Sequence, residues 1–209
     1  MAATRGRPRS FDREAALTVA TRLFWEHGYE ATSIGALTEA MNIKPPSLYA
    51  AFGDKKALFD EVVTTYRQTH GEFMLRALDE EPGVRAGIAR MLREAAAAYT
   101  DPALPPGCLV ISGAANCSPA NADVAERLRD LRNANLTGFE QRLRSAVAAG
   151  ELPADTDVPV LASYLAAVIQ GMSQRARDGA SARELTALAE TAMRAVPGGD
   201  EASGEGGAS

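Results

Sequence analysis

Ser47-Leu48-Tyr49-Ala50-Ala51-Phe52-Gly53-Asp54-Lys55-Lys56-Ala57-Leu58-Phe59 is the stretch on which the fold turns. Leu48 and Phe52 stand one helical turn apart, and Gly53 follows as a stop that accepts a left-handed backbone. Asp54 then offers an oxygen to the free amides of a new helix, in which Leu58 and Phe59 open an apolar stripe. Upstream, Pro45 or Pro46 can begin the short helix, because first-turn amides have no intrahelical partner. Asn42 before it tolerates the positive φ of a tight turn. Thr32 or Ser33 can cap another short helix bearing Ile34, Leu37 and Met41. Ahead of that, Ser10 can cap a helix over residues 10–27 with Ala16, Val19, Ala20, Leu23 and Phe24 on one face, halted by Gly28. Three short helices with a tight turn between the second and third are the parts of a helix-turn-helix unit, whose third helix enters a major groove.

Downstream the apolar spacing stays helical and no period-2 strand appears, so the fold class is all-α with about nine helices. The stripe begun at Leu58 runs without a break to Leu78 through Tyr66, His70 and Phe73, which predicts one long fourth helix. Pro82-Gly83 separates it from a helix carrying Ile88, Leu92 and Tyr99. Residues 101–107, with Pro102, Pro105 and Pro106, form a loop, and 108–115 a short apolar helix. Ser118-Pro119 starts a long helix with Leu128, Asn135 and Phe139, ended by Gly150. Two further helices carry Leu161 to Met172 and Leu185 to Met193. From Pro197 the tail is Gly, Ser and acidic, a composition that stays disordered. The expected units are a DNA-binding domain with a basic arm over 1–53, a larger helical domain over 54–196, and the tail over 197–209.

The net charge of −5 over 209 residues argues against nucleic acid only as an average. All three lysines, Lys44, Lys55 and Lys56, lie in the first 60 residues, and Arg5, Arg7, Arg9 and Arg13 face Asp12 alone in the arm. The surplus of anions falls on the remainder. Apolar runs stop far short of the roughly 18 residues a membrane span needs, and the N-terminus lacks the apolar core of a secretory signal. A cytoplasmic protein is expected, in which Cys108 and Cys117 default to free thiols. Two histidines, His27 and His70, and no CxxC pair cannot build a metal site, and no nucleotide-binding or hydrolase motif is present. No enzyme, metal or cofactor is expected.

The stretch over 5–63 resembles the TetR family of bacterial transcriptional regulators. The resemblance is carried by Arg5-Gly6-Arg7-Pro8, Phe24-Trp25-Glu26-His27-Gly28-Tyr29, Ala31-Thr32-Ser33-Ile34 and, above all, the Leu-Tyr-x-x-Phe-x-x-Lys-x-x-Leu core from Leu48 to Leu58. It implies that Tyr49 and Lys55, with Lys56 beside it, hold DNA phosphates and that Thr32 or Ser33 meets the backbone. It also implies base reading by Lys44, Pro45, Ser47 and Ala50. Physically, hydroxyl and ammonium groups at helix N-termini suit phosphate, which positions a protein without reading sequence. Pro45-Pro46 and Ala50-Ala51 depart from the family's commoner small or basic and bulky aromatic or His residues. Alanines meet only thymine methyls, so specificity leans on Lys44, Ser47 and the arm, where Arg5 and Arg7 can reach a minor groove.

The resemblance further assigns effector binding and dimerisation to the domain over 54–196, and so implies an effector cavity and a homodimer that binds double-stranded operator DNA and releases it to a small molecule. Polar, aromatic or thiol groups interrupting the apolar stripes are the pocket candidates: His70, Tyr99, Cys108, Asn116 and Cys117, then Asn135, Phe139, Tyr164 and Gln170. Leu161, Leu165, Val168, Ile169 and Met172, with Leu185, Leu188 and Ala192, offer stripes for a four-helix dimer interface; intramolecular core is the other use of such stripes. Trp25, one step off its helix's stripe, is expected to cover the seam between domains. Two alternatives stand beside the ligand-released repressor: a thiol-based redox sensor using Cys108 and Cys117, and an architectural or adaptor protein without ligand.

Overall fold

A computed structural model describes residues 12–198, and among them the chain is helical with no strand. The helices are α1 (Arg13–Ala31), α2 (Ile34–Ala40), α3 (Pro45–Phe52), α4 (Lys55–Thr69), α5 (Phe73–Glu80), α6 (Val84–Tyr99), α7 (Leu109–Ser112), α8 (Ala122–Ala148), α9 (Val158–Arg177) and α10 (Ala182–Ala192). A 3-10 turn, Pro119–Asn121, leads into α8. The all-α expectation holds. The arm with Arg5 and Arg7, the Ser10 cap and the tail from 199 lie outside the described residues.

Asp12, at the start of the described residues, caps α1 by accepting from the Ala15 amide at 3.0 Å. Ser33 and Asp54 cap α2 and α4 in the same way, at the amides of Ala36 and Ala57. Phe24, Leu37, Leu48 and Phe52 are buried together, as their spacing predicts. Asn42 takes a positive φ of 53° between α2 and α3. Gly28 does more than stop a helix. Its φ of 79° and ψ of 171° break α1 into two pieces, a backbone essentially reserved for glycine. The chain then resumes as one more short turn to Ala31.

The single long fourth helix is corrected to two, which makes ten α-helices among the described residues. Amides of His70 and Gly71 both turn back to the Tyr66 carbonyl, at 2.8 and 2.9 Å, and close α4. A Cβ on Gly71 would stand 3.2 Å from the Arg67 Cα, so the tight return leaves little room for a side chain. Apolar spacing continues across the break, and periodicity alone does not register a change in helix direction. The helix expected over 108–115 contracts to α7, one turn. In packing, α1 lies on α4 and α7, α6 on α5 and α10, and α8 on α9.

Candidate nucleic-acid interface and effector cavity

The outer face of α3 is open. Lys44, Pro45, Ser47, Tyr49 and Ala50 are all exposed, while Leu48 and Phe52 point inward. Pro45 and Pro46 occupy the first turn, so two of the usual free amides are absent. The Ser47 amide already bonds the Lys44 carbonyl at 2.9 Å. This N-terminus therefore presents side chains to a groove more readily than amides to a phosphate. At the other two N-termini the caps are intrahelical: the Ser33 and Asp54 oxygens accept from the Ala36 and Ala57 amides, which leaves the Ser33 hydroxyl proton free to point outward, while the Asp54 carboxylate opposes an incoming anion.

Thr32 is corrected as well. Its side chain is buried and its hydroxyl donates to the Gly28 carbonyl at 2.7 Å, so it braces the α1 break while Ser33 stays exposed. The two lysines of α4 are both engaged. Lys55 Nζ lies 4.2 Å from the centre of the Tyr29 ring, and burial lowers its pKa. Lys56 pairs with Asp123 at 2.5 Å.

That pair is one of three exposed links from the start of α8 to α1 and α4. Asn121 donates to Glu30 at 2.9 Å, and Arg127 pairs with Asp60 at 2.6 Å. The other end of α1's first piece is held too. Trp25 is buried, donates from Nε1 to the Gly107 carbonyl at 3.2 Å, and packs against Tyr66 and His70. Arg177, at the end of α9, donates to the carbonyls of Trp25 and Glu26, satisfying acceptors that the break leaves free. Beyond the break, the Tyr29 amide donates to the Gly113 carbonyl at 2.6 Å. Trp25 thus sits where α1, α4 and the loop before α7 meet, as a seam residue should.

A cavity of about 260 Å³ opens among α4, α5, α7, α8 and α9. Of the nine pocket candidates it gathers four, Cys108, Asn135, Phe139 and Gln170. Met74, Leu75, Val110, Ile111 and Leu136 supply most of the apolar wall. Tyr66, Arg67 and Arg132 were not singled out by the sequence. Arg132 precedes Asn135 by three residues on the same helix face, a signal that a stripe built only on apolar positions discards.

The remaining candidates are placed elsewhere. His70 lines a separate open groove between α4 and α6, packed on Trp25 and Tyr66. Asn116 is exposed, and Cys117 lies near Glu30 and Lys55. Tyr164 donates to the Ala192 carbonyl at 3.2 Å and ties α9 to α10. Tyr99 is buried beside Cys108, with a hydroxyl that lacks a hydrogen bond of ordinary geometry. Burial pushes the Cys108 thiol up. It also raises Cys117, where Glu30 adds to the effect and Lys55 partly offsets it. Both thiols therefore stay protonated and poorly nucleophilic, which disfavours the redox alternative.

The stripes assigned to a dimer interface are mostly spent inside the protomer. Leu161, Leu165, Ile169, Met172, Leu185 and Ala192 are buried in the single chain, and Ile169 lines the cavity. Val168 and Leu188 remain half-buried. The face that stays open on α9 is Val160, Ser163, Ala167 and Gly171, offset from the large apolar stripe, with Val160 63% exposed.

Helix α8 grips α1 and α4 at its start and walls a cavity further along. A helix-turn-helix transcriptional regulator whose further helices enclose a cavity is the class this defines. The chain belongs to the bacterial regulatory proteins of the tetR family: the N-terminal model matches residues 16–62, and the tetracyclin repressor-like C-terminal model matches 82–195. It is 39% identical over 195 residues to the HTH-type transcriptional repressor ComR of Escherichia coli (strain K12), covering 93% of both chains. It is also 31% identical to the repressor BdcR of the same organism over 191 residues, 91% of this chain and 92% of that one. Among solved structures it is similar to a cysteine-substituted TetR family regulator CifR complexed with a 26 bp double-strand operator DNA. That match has 44% identity and a TM-score of 0.87, over 92% of this chain and 100% of the other.

Proposed function

We propose that the chain is a transcriptional repressor that binds a pseudo-palindromic operator as a homodimer and releases it when a small molecule fills the cavity. The observation that carries this is the likeness to a regulator complexed with operator DNA, which extends over that whole chain. Two relatives named as repressors favour repression over activation. The unit boundary is placed after Gly53, with Lys44, Pro45, Ser47 and Ala50 reading bases and Ser33, Tyr49, Lys55 and Lys56 meeting phosphate. Arg5 and Arg7 belong to the same interface. Release works by population shift: ligand must prefer the conformer whose two α3 helices no longer match major grooves about 34 Å apart. The cavity between α4 and α8 supports this against an adaptor with a filled core. No helix of the described residues is long and apolar enough to cross a membrane. The role is that of a cytoplasmic regulator without catalysis.

Gel shift tests it, using duplex DNA from upstream of the gene and of its neighbours against random duplex. Specific retention is expected. Lys44→Ala should change the preference among duplexes, whereas Lys55→Ala should weaken all of them alike. Equal retention of upstream and random DNA would overturn the proposal.

A further inference from the structure

We propose that the cavity takes a small amphipathic monocarboxylate, its head on the guanidinium of Arg132 beside the Asn135 amide and its hydrocarbon body against Val110, Leu136 and Phe139. This rests on the effector reading above and goes on to name the ligand's chemistry.

Arg132 is half-buried in the cavity wall, and one of its N–H groups donates to the Val110 carbonyl at 2.8 Å. A guanidinium carries five donors and keeps its charge even when burial lowers its pKa, as it does here. None of the ion pairs among the described residues uses it. Glu72, the carboxylate at the cavity's edge, is already bonded to Arg76 at 2.9 Å. The Cys108 thiol is held neutral by burial and supplies no counter-charge. A desolvated cation without a partner costs free energy that a ligand anion restores through a forked, charge-assisted pair.

Charge number and size narrow the class. Arg67 also lines the cavity but is exposed, so the desolvated part of the wall carries one guanidinium, Arg132. It matches one negative charge, whereas a phosphate dianion would bury a second charge beside it unpaired. An apolar cavity of about 150 Å³ holds benzene, so 260 Å³ suits a phenyl group with a short chain. The same guanidinium holds α7 through Val110, and the far end of α7 holds α1 through Gly113 and Tyr29. A carboxylate drawn to Arg132 therefore acts on the strut that reaches the DNA-facing helices.

The test is calorimetric titration of the full-length chain with 4-phenylbutanoate, 4-phenylbutanamide and 4-phenylbutan-1-ol, with phenylphosphonate as a more highly charged comparison. Fluorescence of Trp25, the chain's sole tryptophan, gives a second readout because it packs on Tyr66 of the cavity wall. The carboxylate is expected to bind about tenfold tighter than its amide and alcohol, and tighter than the phosphonate. Arg132→Gln, which keeps a donor for the Val110 carbonyl, should erase that preference and leave the amide's affinity unchanged; Arg132→Lys should retain part of it. Equal binding of alcohol and carboxylate, or a preference that survives Arg132→Gln, overturns the head-group assignment while the cavity still binds small molecules. Binding of none of the four overturns this proposal, while the effector reading, which names no ligand class, stands or falls on the gel shift above.

Discussion

The Tyr29 amide donates to the Gly113 carbonyl at 2.6 Å, across the break that Gly28 puts into α1. On one side of this bond lies Gly113, one residue past the helix that walls the cavity. On the other lies Tyr29, packed on Phe59 and carrying Lys55 over its ring. A change in α7 thus reaches a candidate phosphate-binding cation through one hydrogen bond and one ring contact.

Gly28→Ala should destabilise the protein by about 1–3 kcal/mol, since its backbone lies in a region essentially closed to alanine. A Cβ there would also stand 3.1 Å from the Gly113 oxygen. Urea unfolding measures the loss, and a variant as stable as the parent would refute the account of the break.

Asp123→Asn frees Lys56 from its ion pair without touching the α3 surface. Binding to random duplex should strengthen at low salt, and the slope of log affinity against log salt should steepen by about one. An unchanged slope would mean that Lys56 does not meet phosphate.

His70 is held below its ordinary pKa by burial, only partly offset by Asp101. The folded chain therefore favours the neutral ring more than the unfolded chain does. The associated stability is complete above the ordinary value of about 6.5 and is lost as pH falls from there through the lowered value of the folded chain. The melting temperature should hold steady above about pH 7 and drop as pH falls below about 6.5, and drop less in His70→Gln. Equal drops would remove His70 from the cause.

Ala167→Glu places a charge on the open face of α9, where it should split the dimer and abolish operator binding while the melting temperature stays near that of the folded monomer. Ile169→Glu, two residues on, buries the same charge in the protomer core and should unfold the chain. Analytical ultracentrifugation separates the two. A dimeric Ala167→Glu variant would move the interface elsewhere.

The helix-turn-helix unit was legible because its signals are local. Asn42, Gly53 and Asp54 mark ends that each depend on a single residue, and Leu48 and Phe52 are one turn apart. The effector unit was read less well for a reason visible in α9. Its large apolar residues face inward, so hydrophobicity picked out the intramolecular core at Leu165 and Ile169, while the open face is marked by the smaller Ser163, Ala167 and Gly171. In the same way, the Tyr66–His70–Phe73 spacing ran through a change of direction at Gly71. The cation beside Cys117 is Lys55, distant in sequence, which no inspection of neighbouring residues reveals. Four cavity residues stand where a polar or thiol group breaks a stripe or an aromatic lies on one, and Arg132 escapes that search because it is charged and only Asn135, three residues on, marks its face.

The bonds that Arg177 makes to the carbonyls of Trp25 and Glu26 join residues 152 and 151 positions apart. On a ribosome that adds residues one at a time from the N-terminus, the first sixty can pack α1 to α3 early. The end of α1 must wait: Gly107 emerges to receive Trp25, then Gly113 to receive Tyr29, and Arg177 later still. A nascent chain carries its reading head long before the head is locked in pose, so competence to grip an operator arrives only after Arg177 has emerged.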